Sequence, residues 1–190
     1  MSNNPAKSII NEGKAEIPEG IPVNNAGTVL LGSFFKLLFQ GANLVDFKTF
    51  VSAEAQLKAV HHLNYVVTGT TAVQEGVAPL FRVLCGLPIS SANLPEIEMT
   101  EADLNNINSF IDAMIRNWPA IGNSSVNGFR NNWLVRDGLL VEHPDKWELN
   151  VQKRPYDVLI LRSQFANPRY TFSIIKYPWM DKPLYVNWDY

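Results

Sequence analysis

Charge is scarce in this chain. Asp, Glu, Lys and Arg make up 18% of its 190 residues, against the usual ~25%. The 16 basic and 18 acidic residues leave a net charge of −2. Up to residue 100, six basic residues face eight acidic ones, and beyond it ten face ten. A nucleic-acid binder or a basic membrane anchor leaves a positive footprint, and this chain has none. Cysteine is scarcer still, with Cys85 alone. One cysteine excludes an internal disulfide framework and a multi-cysteine zinc site. No window holds 18 consecutive apolar residues, so no membrane span is expected. Met1 to Ile17 lacks a basic stretch followed by an apolar run, so it does not read as a secretory signal. The expectation is a soluble protein of the cytoplasm that leaves the cell only inside a particle or through lysis.

What is present is ordinary core material and uncharged polar surface. Hydrophobic residues reach 46%, and asparagine occurs 19 times. A chain of this length buries about 70% of the surface its unfolded form exposes, enough for a real core. All five tryptophans, and 14 of the 21 aromatics, follow residue 100. A surface poor in charge suits a protein that sits against neighbours.

The periodicity changes along the chain. Residues 1–20 are polar, rich in Pro and Gly and without a period, and read as a flexible arm. Thr28 to Phe39 is dense in large apolar residues and reads as a buried helix. Ser52 is placed to cap a helix that runs to Thr68 and stops at Gly69. Pro79 opens a short helix that ends near Gly86. Thr100 with Asp103 makes a capping box ahead of Leu104, Ile107, Ile111, Met114 and Trp118. Ser124 or Ser125 caps a further helix through Phe129, Arg130 and Trp133. Alternation then takes over: Leu139–Val141 and Trp147–Val151 form a hairpin across His143-Pro144-Asp145, followed by strands at Tyr170–Lys176 and Leu184–Trp188. Helices first and strands last predict an α+β fold, an N-terminal helical part packed with a small C-terminal antiparallel β-sheet. Residues 21–190 read as a single domain.

Chemistry is hard to assemble from these residues. Cys85 ends a helix among apolar neighbours and reads as a buried thiol. His61 and His62 are adjacent on a helix and point about 100° apart, so they do not share a metal. His143 lies in the hairpin turn. No phosphate loop, G-x-S-x-G or H-E-x-x-H occurs. Arg154 and Asp157 suit a structural ion pair, with Asp157 alternatively capping a turn. A catalytic Asp157 needs a partner that the sequence does not offer. The reading is of a non-enzyme with no cofactor and no metal.

Six blocks resemble the C-terminal conserved domain of the tape measure proteins of contractile injection systems. These are the phage-tail-like particles that include antifeeding prophage and the Photorhabdus virulence cassettes. The blocks run Pro22-Val23-Asn24-Asn25-Ala26-Gly27, then His62-Leu63-Asn64-Tyr65 to Thr68-Gly69, then Leu84-Cys85-Gly86-Leu87-Pro88. They continue with Trp118-Pro119-Ala120 and Asn123 to Arg130, then Arg154 to Leu159, and close with Ile174 to Met180 and Val186-Asn187-Trp188. Together they cover residues 20–190.

The resemblance implies a structural tail component without catalytic residues. In the family the tape measure lies in the tube lumen and sets tube length. A ruler needs reach, and some 170 compactly folded residues give a radius of gyration of ~16 Å. An extended arm of 20 residues adds at most ~70 Å. The expectation is therefore a stand-alone terminal domain at an end of the inner tube, as a plug, cap adaptor or baseplate-hub adaptor. Its partners would be tube, sheath-cap or baseplate proteins, in a symmetric multimer. The expected contact residues are Phe34, Phe35 and Phe39 on the apolar helix, and Trp179, Tyr185, Trp188 and Tyr190 near the chain end. Core packing is the competing reading for each. The alternative function is a cargo or effector adaptor, or another protein-binding module.

Overall fold

Capping signals written in the sequence set the ends of the long helices. In the computed structural model, which describes residues 19–74, 77–89, 94–163 and 172–189, the described residues form five α-helices. They are α1 (Phe35–Gly41), α2 (Ala53–Thr68), α3 (Ala78–Leu84), α4 (Glu101–Arg116) and α5 (Val126–Phe129). Ser52 accepts a hydrogen bond from the Ala55 amide at the start of α2, and Gly69 closes it at φ 72°. The Thr100–Asp103 capping box opens α4 with both reciprocal bonds formed. Ser125, rather than Ser124, caps α5, which passes directly into a π-turn over Arg130–Leu134.

The apolar stretch after residue 26 departs from the expected helix. Ala26–Phe34 is a 3₁₀ helix, and α-geometry begins at Phe35. All of Ala26–Gly32 is buried. The segment threads too tightly for side-chain bulk at Gly27, where an added Cβ would overlap the Trp133 carbonyl.

Among the described residues five strands form one sheet: β1 (Ile21–Val23), β2 (Gly138–Glu142), β3 (Trp147–Val151), β4 (Ile174–Ile175) and β5 (Leu184–Asn187), in the order β1-β2-β3-β5-β4. The α+β class and the β2–β3 hairpin are as expected. The sheet itself is mixed rather than purely antiparallel. β3 and β5 run parallel, with Trp147 opposite Leu184 and Leu149 opposite Val186. A parallel pair needs a long crossover, and the segment between β3 and β5, with its 3₁₀ turns at Pro155–Arg162, supplies it. The first strand also comes from the N-terminal end of the described chain, where Ile21 pairs with Leu140.

Alternation splits the sheet into two faces. Leu140, Leu149, Ile175, Leu184 and Val186 point inward to the core, against the 3₁₀ segment at Ala26–Phe34. Leu139, Glu148, Asn150, Ile174, Tyr185 and Asn187 point outward. One apolar cluster runs from Val23 to Trp188 and takes in residues of every α-helix and every strand. The expected arm lies outside the described residues up to residue 18, as do Tyr170, Thr171 and Tyr190.

Candidate functional site

The most concentrated polar chemistry in the fold is a buried ionic centre on Arg136 and Asp157. Both side chains are 1% exposed or less. Arg136 Nη1 donates to Asp157 Oδ1 at 2.7 Å and to Oδ2 at 2.6 Å. The same guanidinium donates to the carbonyls of Asn132 (3.0 Å) and Gln152 (3.2 Å). Its Cζ lies over the Trp188 ring, 4.7 Å from the ring centre. Asp157 also accepts the Trp188 indole N–H and the Arg154 amide, each at 2.9 Å. Both carboxylate oxygens are therefore occupied. The centre ties chain segments together, with Arg136 Nε buried and without a hydrogen-bond partner.

The ion pair expected between Arg154 and Asp157 is thus made by Arg136. Arg154 gives Asp157 its backbone N–H, the turn-capping alternative, and points its guanidinium at the carbonyls of Asn131, Asn132 and Val135. The reason is register. A 3₁₀ turn begins at Pro155 and aims the Asp157 carboxylate back at the Arg154 amide, facing the core. Arg136 was not legible from sequence; its one cue is the run Trp133-Leu134-Val135 before it, which argues for burial. A surface depression of about 510 Å³ beside the centre is lined by Lys153, Arg154, Pro155, Asp157 and Val158.

The other chemically capable residues are dispersed. Cys85 is fully buried, and burial pushes its thiol far above the ordinary value. His61 donates from Nε2 to the Pro95 carbonyl at 3.0 Å, while His62 faces Lys58 and Asp103. His143 sits in the hairpin turn, 3.6 Å from Glu148. Among the described residues no three His, Cys, Asp or Glu side chains converge as a metal site. No helix among them is long and apolar enough to cross a membrane.

Five of the six sequence blocks bond directly to another block, and the first is held by Arg136 and Val77, outside the set. In the first, the Asn24 carbonyl accepts the Arg136 amide at 2.9 Å, and Asn25 donates to the Val77 carbonyl at 2.9 Å. The second is held by the fourth: Arg130 donates to the carbonyls of Val66 and Tyr65, both at 3.0 Å, at the C-terminus of α2. A cation is favourable there because the helix dipole ends negative. The third receives the last: Trp179 Nε1 donates to the Leu84 carbonyl at 3.0 Å. The fourth meets the fifth where Trp118 Nε1 donates to the Leu159 carbonyl at 3.1 Å. The fifth meets the last at Asp157 and Trp188.

The expected contact residues divide by burial. Phe35, Phe39 and Trp188 lie in the chain's own core, so they take the core reading. Phe34 is half-buried. Trp179 is also half-buried and stacks on Tyr177 (4.5 Å, 6°) and against Phe50 (5.0 Å). The Tyr177 hydroxyl donates to the Gly32 carbonyl, and burial pushes its pKa up to about 12. Tyr185 remains on the surface, 38% exposed, with Lys146 over its ring at 5.0 Å. Tyr190 lies outside the described residues. An exposed residue that sequence reasoning passed over is Phe47, 86% exposed on a tight turn in which Asp46 accepts the amides of Lys48 and Thr49. Those two amides hold the Asp46 carboxyl below the usual range.

No curated protein and no solved structure matches the chain. A family model described as "Contractile injection system tape measure protein" matches residues 2–188. That span takes in all six blocks, and the chain belongs to the contractile injection system tape measure protein family.

Proposed function

We propose that this chain is a non-enzymatic structural component of a contractile particle, acting at an end of the inner tube as a plug, cap adaptor or baseplate-hub adaptor. The observation that carries this reading is how the family's polar residues are used. Arg130, Asp157, Trp118, Trp179 and Trp188 all bind other parts of the same chain. A catalytic or cofactor site would keep such groups free for a ligand. The described helices also favour an end position over a ruler. The longest, α2 and α4, have 16 residues each, a rise of ~24 Å. Residues 21–190 act as one domain in this reading, supported by the shared core.

The contact surface is the outer face of the sheet around Tyr185 and its cross-strand neighbour Ile174, together with Phe47. Exposed aromatics are common anchors at protein interfaces. The partners are tube, sheath-cap or baseplate proteins, met during assembly in the bacterial cytoplasm as a symmetric multimer, within a phage-tail-like particle that is later released.

Deleting the gene and imaging particles by negative stain tests this directly. The expected result is particles of wrong length, or none, and tagged protein should bring down tube, sheath or baseplate subunits. Normal particles in the deletion strain sink the proposal. Intact but empty ones point instead to a cargo adaptor.

A further inference from the structure

His62 is fully buried between α2 and the first turn of α4, and it is half-satisfied. Its Nδ1 lies 2.9 Å from the Lys58 carbonyl, one turn back on α2. A carbonyl only accepts, so Nδ1 carries the proton. In the neutral ring Nε2 is then bare. It faces Asp103 Oδ1 at 3.4 Å without forming a hydrogen bond. Two acceptors are opposed inside the protein, where an unmatched polar atom is costly.

The charged groups facing the ring are Asp103 from α4 and Lys58 from α2 itself. They are also bound to each other, Lys58 Nζ lying 2.7 Å from Asp103 Oδ2. The same Oδ2 accepts the Thr100 hydroxyl and amide, at 2.8 and 2.9 Å. His61 turns away to the Pro95 carbonyl. A proton arriving at Nε2 would gain a charge-assisted bond to Asp103. It would also place a cation in a buried site beside the Lys58 ammonium.

We propose that His62 is a proton-sensitive joint between α2 and α4, through which mild acid loosens the packing of the two helices. Burial holds the packed ring below the ordinary imidazole value, and Lys58 acts the same way. The Lys58 carbonyl and Asp103 oppose this and are outweighed. A separated α2–α4 pair exposes the ring to water, where it takes a proton at about pH 6.5. The joint therefore has its full strength above about pH 6.5 and weakens as pH falls from there toward the packed-state value. The opening equilibrium shifts by at most about tenfold per pH unit in that window.

The test is imidazole and amide NMR on the whole chain. At pH 7.5 the His62 ring should show the Nδ1–H tautomer with bare Nε2. Between pH 7.5 and 5.5, hydrogen-exchange protection of the α4 amides should fall, up to about tenfold per unit below about pH 6.5, while β2 and β3 hold theirs. His62→Asn, or His62→Gln if the first fails to fold, should abolish that fall. The tautomer is read on the unaltered protein and needs no variant. An Nε2–H tautomer or an imidazolium at pH 7.5 overturns the proposal. So does unchanged α4 protection in acid, an equal loss in β2 and β3, or the same loss in the variants.

Discussion

Replacing Asp157 with alanine should be the most damaging single polar substitution in this chain. The carboxylate accepts both bonds from Arg136 Nη1, the indole of Trp188 and the amide of Arg154. Its removal strands a guanidinium whose side chain has no exposure. Breaking a buried pair from one side costs about 3–5 kcal/mol, because the remaining charge stays buried without its partner. The orphaned indole and amide act in the same direction, at about 1–3 kcal/mol for an unmatched buried donor, though the terms are not additive. For a chain of this size each kcal/mol lowers the melting temperature by about 2–4 °C. Asp157→Ala should therefore melt about 6–20 °C lower than the parent, followed by circular dichroism at pH 7. Arg136→Met with Asp157→Leu removes both charges together. The double variant should lose less than Asp157→Ala alone, since an apolar pair carries no stranded ion. A shift under about 3 °C for Asp157→Ala, or a double variant that loses the sum of both single changes, refutes the reasoning. Either result would mean that water reaches the pair in solution.

Three further outcomes follow from the same contacts. Gly86 sits at φ 72°, and an added Cβ would overlap the Trp179 carbonyl; Gly86→Ala should cost at least about 2 kcal/mol in urea unfolding, and a neutral result would show that the Trp179 loop is not docked there. The Cys85 thiol should resist a thiol reagent at pH 8 in the native protein and react at once in denaturant, whereas rapid native labelling would contradict its burial. Trp188→Ala should lower stability by about 3–5 kcal/mol as a core deletion, while Tyr185→Ala should leave melting within a few degrees yet weaken particle incorporation in a complementation assay; the reverse pattern would exchange their roles.

The sequence showed its local structure more clearly than its long-range contacts. Ser52, Gly69 and the Thr100–Asp103 box act within one turn of chain, so their signals sit in adjacent residues and the helices they bound are where expected. Alternation located the hairpin for the same reason. Strand direction is different, because period-two patterning reads the same in parallel and antiparallel pairs. The β3–β5 pairing depends on a crossover whose path no local pattern encodes. The 3₁₀ stretch at Ala26–Phe34 was misread because an apolar run records burial and says little about helix pitch.

The same distinction bears on the candidate site. Asp157 stood out because Arg154 is three residues away, yet its ionic partner is Arg136, 21 residues back. Sequence proximity offered the nearest cation, and the fold chose the one it could bury. The aromatic residues repeat the pattern: Trp188 and Tyr185 are three residues apart on one closing strand region, and the one-residue difference in strand phase sends the first to the core and the second to water. The blocks that carry the resemblance have a physical reading. Each pairs a specific donor on one segment with a specific carbonyl or carboxylate on another, as Arg130 does with α2 and Trp179 with Leu84. Changing one partner leaves a buried group unmatched, which penalises single substitutions more than paired ones. Short, separated motifs are then what a mutually latched fold requires, with no shared ligand needed to account for them. Phe47 is free of those constraints: it is 86% exposed and lies outside every block, so no local pattern marks it.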